Sequence, residues 1–162
     1  MRVILPGSYD PVTKGHLEII KRAAREYDEV FAVIFVNPNK NYMFSVDDRV
    51  RMLTLATDEL DNVLVSYSTG LVVDYMREHG IEKIIKGYRT EADLPWEREQ
   101  AEWNFAHGGY ETELWRCEER FENISSTLVR EALRGGDSET AENMLPEAVG
   151  EYIKELAAGS PL

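Results

Sequence analysis

The chain has 162 residues, 43% of them hydrophobic, and is therefore expected to form one domain, over residues 1–162, with a substantial core. Its formal net charge of −12, from 18 Lys and Arg against 30 Asp and Glu, argues against a nucleic-acid partner and requires any bound phosphate to be held by local donors. The single cysteine, Cys117, excludes an intramolecular disulfide, and no Cys/His cluster indicates zinc. The first residues show no signal-peptide pattern, so we expect a cytoplasmic protein without a membrane partner.

Five apolar runs predict β-strands, and helical spacing of apolar residues separates them. The second run is apolar throughout, as expected of a parallel strand buried on both faces, and is too short to span a bilayer. Ser45 precedes the second helical pattern with Asp48 three residues on, a variant of the capping box. This alternation predicts an α/β fold with a doubly wound five-stranded parallel sheet. The predicted strands are Val3–Leu5, Val30–Val36, Val63–Tyr67, Ile81–Lys86 and Glu113–Cys117.

The chain after Thr127 has the pattern of a helical C-terminal segment. The run Arg134-Gly135-Gly136-Asp137 is predicted to end one helix and cap the next, and Pro146 suits the first position of the last helix. Residues 159–162 are expected to fray.

The segment from Pro6 to His16 has the composition of an anion site. It begins where the first strand ends and leads into a helix, whose N-terminal N–H groups and dipole favour an anion. Gly7 and Gly15 allow the backbone to approach a phosphate closely, and His16 can direct a ring N–H at the same anion. Taken alone, this segment is equally compatible with an ordinary turn followed by a capping histidine.

A second segment, Asn123 to Glu131, has the same character. Three consecutive hydroxyl residues, Ser125 to Thr127, precede an apolar helical pattern, and Arg130 follows one turn later. One hydroxyl is enough to cap a helix, so three with an arginine favour a second anion-binding helix start. Two such starts can together hold a polyphosphate.

All of these segments follow predicted strands, and so do three further segments, 37–40, 68–72 and 86–89. In an open α/β sheet the carboxyl ends of the strands form the edge at which ligands bind. The five segments are therefore expected to meet at one edge of the sheet.

The two end segments, Gly-Ser-Tyr-Asp-Pro-Val-Thr-Lys-Gly-His at 7–16 and Ile-Ser-Ser-Thr-Leu-Val-Arg-Glu at 124–131, resemble the paired motifs of the (T/H)xGH nucleotidyltransferase superfamily. Thr13, at the motif position that holds either Thr or His, resembles the residue found in the bacterial phosphopantetheine adenylyltransferases. The segments at 37–44, 70–74 and 86–97 also resemble those of these enzymes. The resemblance runs in order over nearly the whole chain and implies a Rossmann-like nucleotidyltransferase fold.

The resemblance implies transfer of AMP from ATP to 4′-phosphopantetheine, giving dephospho-CoA and pyrophosphate. The acceptor phosphate is already ionised, so direct in-line displacement needs alignment and charge stabilisation rather than an activated nucleophile. Mg²⁺ is expected with ATP, held mostly by phosphates and water, and no protein residue is predicted as a metal ligand. The resemblance also implies a homohexamer and leaves CoA as a candidate inhibitor.

The resemblance assigns the site residue by residue. His16 is expected to contact the α-phosphate, and the catalytic set is His16, Lys40, Ser8 and Arg89. The acceptor is expected to contact Ser8, Lys40, Leu71, Val72 and Lys86. From the residues alone, Leu71 and Val72 are nearly as compatible with core packing, and Lys40 with a solvated loop. The residues expected to bind ATP are Ser8, Tyr9, His16, Gly87, Tyr88, Arg89, Asp93, Glu97, Phe121, Glu122, Asn123, Ile124, Ser125, Ser126 and Thr127.

The chain departs from the common family pattern at Lys86, where Arg is usual, and at Tyr88, Trp96 and Thr127. Two other functions remain open. One is another adenylyl- or cytidylyltransferase, such as one acting on nicotinate mononucleotide, which shares both end motifs. The other is a non-catalytic nucleotide sensor, against which the presence of His16, Lys40 and Arg89 together counts.

Overall fold

A computed structural model describes residues 1–159 and shows a five-stranded parallel sheet with helices on both faces. The strand order is β3-β2-β1-β4-β5, which confirms the predicted doubly wound sheet. The strands are β1 (Arg2–Gly7), β2 (Glu29–Phe35), β3 (Val63–Ser68), β4 (Lys83–Tyr88) and β5 (Glu111–Arg116). The helices are α1 (Lys14–Glu26), α2 (Val46–Ala56), α3 (Val72–His79), α4 (Leu94–Gly108), α5 (Ser126–Arg134), α6 (Ser138–Asn143) and α7 (Glu147–Ala157), with 3-10 turns at Glu91–Asp93 and Glu119–Phe121.

Each face of the sheet carries its own core because side chains alternate along the strands. On β2, Val30, Ala32 and Ile34 belong to the larger core, while Phe31 and Val33 belong to the smaller one. All five residues are buried, as the uninterrupted apolar run predicted.

The helical C-terminal segment is confirmed. Ser125 caps α5 through Leu128 N–H, and Asp137 caps α6 through Thr140 N–H. The segment is tied to the first half of the chain by the Tyr152 hydroxyl, which donates to Asp48 Oδ1 at 2.8 Å.

Several predicted boundaries need correction. β4 covers Lys83–Tyr88 and β5 covers Glu111–Arg116, which differs from both predicted runs; β4 ends later because pairing of Gly87 with Trp115 extends the ladder into residues that the sequence pattern places in a loop. Cys117 therefore lies just after β5. Pro146 is the N-cap of α7 rather than its first residue. Ser45 does cap α2, but Asp48 accepts from Tyr152 instead of completing the box. Of the predicted frayed tail, residues 160–162 lie outside the described part of the chain.

Candidate active site

The principal cleft opens where β1 and β4 separate. These strands pair only through Val3 with Lys83 and Ile4 with Ile84, whereas β1 pairs with β2 along its whole length. The gap forms a cleft of about 560 Å³ at the switch point of the sheet, where a doubly wound fold binds its ligand.

The loop after β1 forms one wall, and its backbone carbonyls are held by side chains from distant elements. Ser8 O accepts from Arg49 at 3.0 Å, Asp10 O from Arg130 at 2.8 Å, and Pro11 O from the Ser126 hydroxyl at 2.8 Å. These bonds fix the course of the loop beside the cleft.

Tyr9 has a left-handed backbone conformation, with a φ of 47°, which is uncommon for a bulky residue. Its side chain is buried, and its hydroxyl donates to Leu5 O at 2.8 Å. The surrounding contacts therefore hold a strained conformation at the entrance to α1, as is typical of functional loops.

His16 lies at the third position of α1, and its ring completes a capping box. The Thr13 side chain accepts from His16 N–H, while Thr13 N–H donates to His16 Nδ1 at 3.0 Å. Because Nδ1 accepts a hydrogen bond, the proton of the neutral ring is on Nε2. His16 lines the cleft, so this N–H is available to a ligand.

The pKa of His16 is lowered from 6.5 to about 4. Burial is the largest cause, followed by the positive charges of Lys86 and Arg89. At neutral pH the ring is therefore an uncharged hydrogen-bond donor rather than an acid.

The end of β4 forms the opposite wall. Lys86 Nζ is 3.7 Å from Glu97 Oε2, a buried oxygen that has no hydrogen-bond partner among residues 1–159. Asp93 Oδ2 accepts from Arg89 N–H and Thr90 N–H, so this carboxylate fixes the backbone that carries the Arg89 guanidinium. The cleft thus offers local cations, Lys86, Arg89 and Arg130, beside the carboxylates of Asp10, Asp93 and Glu97, in a chain whose net charge is −12.

Gly87 is needed for close packing. A Cβ at this position would lie 2.9 Å from Ile19 Cγ1, so the absence of a side chain lets β4 approach α1. The sequence suggests close approach of a nucleotide as the reason; the structure provides a packing reason that is independent of any ligand.

The third wall is the start of α5, where the three consecutive hydroxyls have three different partners. Ser125 Oγ accepts from Leu128 N–H, and Ser126 Oγ donates to Pro11 O. Thr127 Oγ1 accepts from Arg130 Nη2 at 3.2 Å. Only one of the three caps the helix; Ser126 connects α5 to the β1 loop, and Thr127 bonds within α5 to Arg130, which lines the cleft.

The cleft therefore combines two helix N-termini with a neutral imidazole donor and several cations, which suits a polyanionic ligand. Residues 4–132 match the family model described as cytidylyltransferase-like. The chain is also 40% identical over 157 residues to the phosphopantetheine adenylyltransferases of Corynebacterium glutamicum strain R and strain ATCC 13032, covering 96% of this chain and 96% of each relative. The chain belongs to the phosphopantetheine adenylyltransferase family. It is accordingly an enzyme of the nucleotidyltransferase class.

Most of the site residues that the family pattern assigns are brought together in this cleft. Three of the assigned residues, Phe121, Glu122 and Asn123, precede the cleft wall without lining it; Glu122 O accepts from Arg89 Nη1 at 3.2 Å. Those that line the cleft are Ser8, Tyr9, His16, Lys86, Gly87, Tyr88, Arg89, Asp93, Glu97, Ile124, Ser125, Ser126 and Thr127.

Three residues assigned to the acceptor do not line the cleft. Lys40 is exposed on the loop after β2. Leu71, half exposed, is the N-cap of α3, and Val72 packs against the smaller core. They follow β2 and β3, which lie to the side of β1 away from β4. Their contact with the acceptor therefore stays a prediction.

Sequence reasoning missed two buried residues that hold the loops around the cleft: Asp10, which lines it, and Arg49, which does not. The carboxylate of Asp10 is buried and accepts from Met43 N–H at 2.9 Å and Phe44 N–H at 3.0 Å. Arg49 is buried and bonds to the same two loops. Asp10 lies within a recognisable motif, but nothing in the sequence around Arg49 indicates that its partners would be backbone carbonyls.

Cys117 also lines the cleft. Burial, with the negative charges of Glu18 and Glu122, raises the pKa of its thiol. The nucleophilic thiolate is therefore scarce at neutral pH.

Within residues 1–159 no three His, Cys, Asp or Glu side chains are grouped so that they could hold a metal ion. In the same range no helix is long and apolar enough to cross a membrane.

Proposed function

We propose that the protein transfers AMP from ATP to 4′-phosphopantetheine, giving dephospho-CoA and pyrophosphate in the synthesis of coenzyme A. The near-full-length similarity to phosphopantetheine adenylyltransferases supports this reaction. The observation that carries it is the pairing, in one cleft, of the starts of α1 and α5 with a histidine whose proton is on Nε2.

The reaction is a direct displacement. An oxygen of the acceptor phosphate forms a bond to the α-phosphorus of ATP as the bond from that phosphorus to the bridging oxygen of the β-phosphate breaks. The electron pair leaves with pyrophosphate, and no enzyme group becomes covalently attached. The enzyme must align two polyanions and stabilise charge on the α-phosphoryl oxygens.

His16 is proposed to donate Nε2–H to an α-phosphoryl oxygen. Its neutral state is an advantage, because the proton is not lost to the acceptor phosphate and the donor remains in place throughout the reaction. Lys86 and Arg89 are proposed to supply positive charge on the opposite wall, and Ser8 to bond to the attacking phosphate.

The triphosphate is proposed to lie against the start of α5. Ser125 to Thr127, with the preceding residues Phe121 to Ile124, would hold the β- and γ-phosphates, and Asp93 and Glu97 would lie on the nucleoside side. Mg²⁺ would arrive with ATP, coordinated by phosphate oxygens and water. Lys40, Leu71 and Val72 would contact 4′-phosphopantetheine.

A homohexamer in the cytoplasm, inhibited by CoA, is proposed from the family resemblance. Helix α4 supports association: it has no buried residue, and Trp103 and Phe105 are exposed on it. Exposed aromatic residues of this kind are typical of interaction surfaces. Light scattering coupled to gel filtration tests the hexamer, and a mass of 18.6 kDa would contradict it.

A pyrophosphate-release assay tests the reaction. ATP and CTP are each offered with 4′-phosphopantetheine, nicotinate mononucleotide and other phosphorylated acceptors, and products are identified by mass. We expect dephospho-CoA from ATP and 4′-phosphopantetheine. Equal or faster turnover of nicotinate mononucleotide would replace this assignment, and tight ATP binding without turnover of any acceptor would indicate a sensor.

A further inference from the structure

Arg49, on α2, is a buried cation. Its side chain is 2% exposed, and no carboxylate within residues 1–159 lies close enough to form an ion pair with it. Burying an unpaired charge is costly, so the guanidinium must be compensated by other contacts.

Those contacts join two loops. Arg49 Nε donates to Phe44 O at 3.1 Å, and Nη1 donates to Ser8 O at 3.0 Å. The guanidinium carbon is also 4.0 Å from the centre of the Tyr42 ring, a cation–π contact. A planar group with several fixed donors can make all three contacts together, which a lysine ammonium cannot.

The Lys40 loop, residues 37–44, is thereby fixed at both ends. At its start, Asn37 N–H donates to the Tyr42 hydroxyl at 2.8 Å. At its end, Phe44 O is bonded to Arg49, and Asp10 accepts from Phe44 N–H. Between these anchors the chain turns, with Lys40 N–H donating to Asn37 O at 3.0 Å. Lys40 itself is left exposed.

We propose that Arg49 is a positioning residue for the acceptor phosphate: it holds the Lys40 loop against the backbone of Ser8, so that Ser8 and Lys40 act on the same phosphate. This inference rests on the proposed function. Arg49 does not line the cleft, so it acts through these two neighbours and not on the ligand itself. Misplacement of a positioned group by about 1 Å can lower a rate by roughly two orders of magnitude.

The test compares Arg49→Lys with Arg51→Lys. Arg49→Lys keeps the charge but cannot reach both carbonyls, whereas Arg51 is exposed on the same helix and serves as the matched control. We expect Arg49→Lys to lower kcat/KM for 4′-phosphopantetheine at least tenfold while the Kd for ATP, measured by calorimetry, changes less than twofold. Arg51→Lys should leave both unchanged.

Two further measurements distinguish positioning from general destabilisation. In a Lys40→Ala background, adding Arg49→Lys should lower kcat/KM for 4′-phosphopantetheine by less than a further threefold, because the effect of Arg49 passes through the Lys40 loop. Tyr42→Phe, which removes the bond from Asn37 but keeps the ring beside Arg49, should lower acceptor kcat/KM in the same selective way. If Arg49→Lys does not fold, Tyr42→Phe decides the question alone.

Wild-type kinetics in Arg49→Lys, or an equal loss of ATP affinity, would overturn the inference. So would full additivity with Lys40→Ala. Failure of the unmodified enzyme to use 4′-phosphopantetheine would instead refute the proposed function, so the two failures are distinguishable.

Discussion

Replacing His16 by alanine is expected to slow the chemical step far more than it weakens ATP binding. The ring offers Nε2–H to the cleft because Nδ1 is occupied by Thr13 N–H. A donor aimed at charge that develops in the transition state is worth roughly 2.7–4 kcal/mol, which corresponds to a loss of about 10²–10³ in kcat. Ground-state binding of ATP relies on many other groups and should change little.

The pH dependence of the rate distinguishes protonation of His16 from protonation of the acceptor phosphate. In the free enzyme the His16 pKa is lowered to about 4, so the ring stays neutral over the usual range of assays. The second pKa of a phosphate monoester is about 6, so protonation of the acceptor should produce the acidic limb of the rate profile. His16→Ala should therefore lower kcat at every pH without moving that limb.

His16→Asn is the control for structure. Asparagine is the better choice than glutamine, whose amide N–H₂ could replace the Nε2 donor: in His16→Asn, Oδ1 takes the place of Nδ1 and accepts from Thr13 N–H, and the side chain is too short to put a donor at the place of Nε2. This variant should fold as well as the wild type and lose about as much kcat as alanine. A loss confined to KM would show ground-state binding instead, and disappearance of the acidic limb in either variant would refute the assignment of a neutral donor.

Four further outcomes are expected. First, the depressed His16 pKa makes the unfolded state bind more protons between pH 4 and 6.5, so stability falls as pH drops through this window. At pH 5 the loss is at most about 2 kcal/mol, less where water in the cleft screens the ring, and urea unfolding of wild type against His16→Asn should reveal it. Second, Gly87→Ala should lower the unfolding free energy by about 1–3 kcal/mol, because the added Cβ would meet Ile19 Cγ1. Gly15→Ala should be tolerated, since its Cβ would make an ordinary 3.5 Å contact with Thr13 Oγ1, and equal stabilities of the two variants would contradict the packing argument. Third, Lys86→Arg should change the KM for 4′-phosphopantetheine by less than about threefold, since Lys40 or Arg89 supplies the second phosphate contact. Lys40→Ala should raise this KM much more, and a tenfold lower KM in Lys86→Arg would show that the site is short of hydrogen-bond donors. Fourth, a chiral α-phosphorus should undergo inversion, and retention or a trapped adduct on His16 would indicate a covalent intermediate.

The amino-acid sequence was sufficient where the physics is local. A parallel strand that is buried on both faces has an unbroken apolar sequence, and β2 lies where such a run occurs. Ser45 and Ser125 were recognisable as N-caps because a helix start needs a nearby acceptor for its free N–H groups. The alternation of these elements then limits the topology to a doubly wound sheet.

The candidate site followed from the same logic in part. Segments at the carboxyl ends of parallel strands must share one edge, so Ser8, His16 and Ser125 could be expected near one another. The sequence did not reveal that the cleft lies between β1 and β4, because separation of the two strands depends on how the whole sheet pairs. It also left Leu71 and Val72 undistinguished from core residues.

What the sequence determined by itself, therefore, is the order of elements, the caps and the set of polar loops at one edge, because hydrogen bonding and side-chain periodicity act over a few residues. Only the tertiary structure decided that Arg49 joins Phe44 to Ser8 and that Arg130 bonds to Asp10, 120 residues away. Such contacts have no pattern along the chain, since their acceptors are backbone carbonyls that every residue possesses. They exist because the packed core brings distant loops within a hydrogen bond of each other.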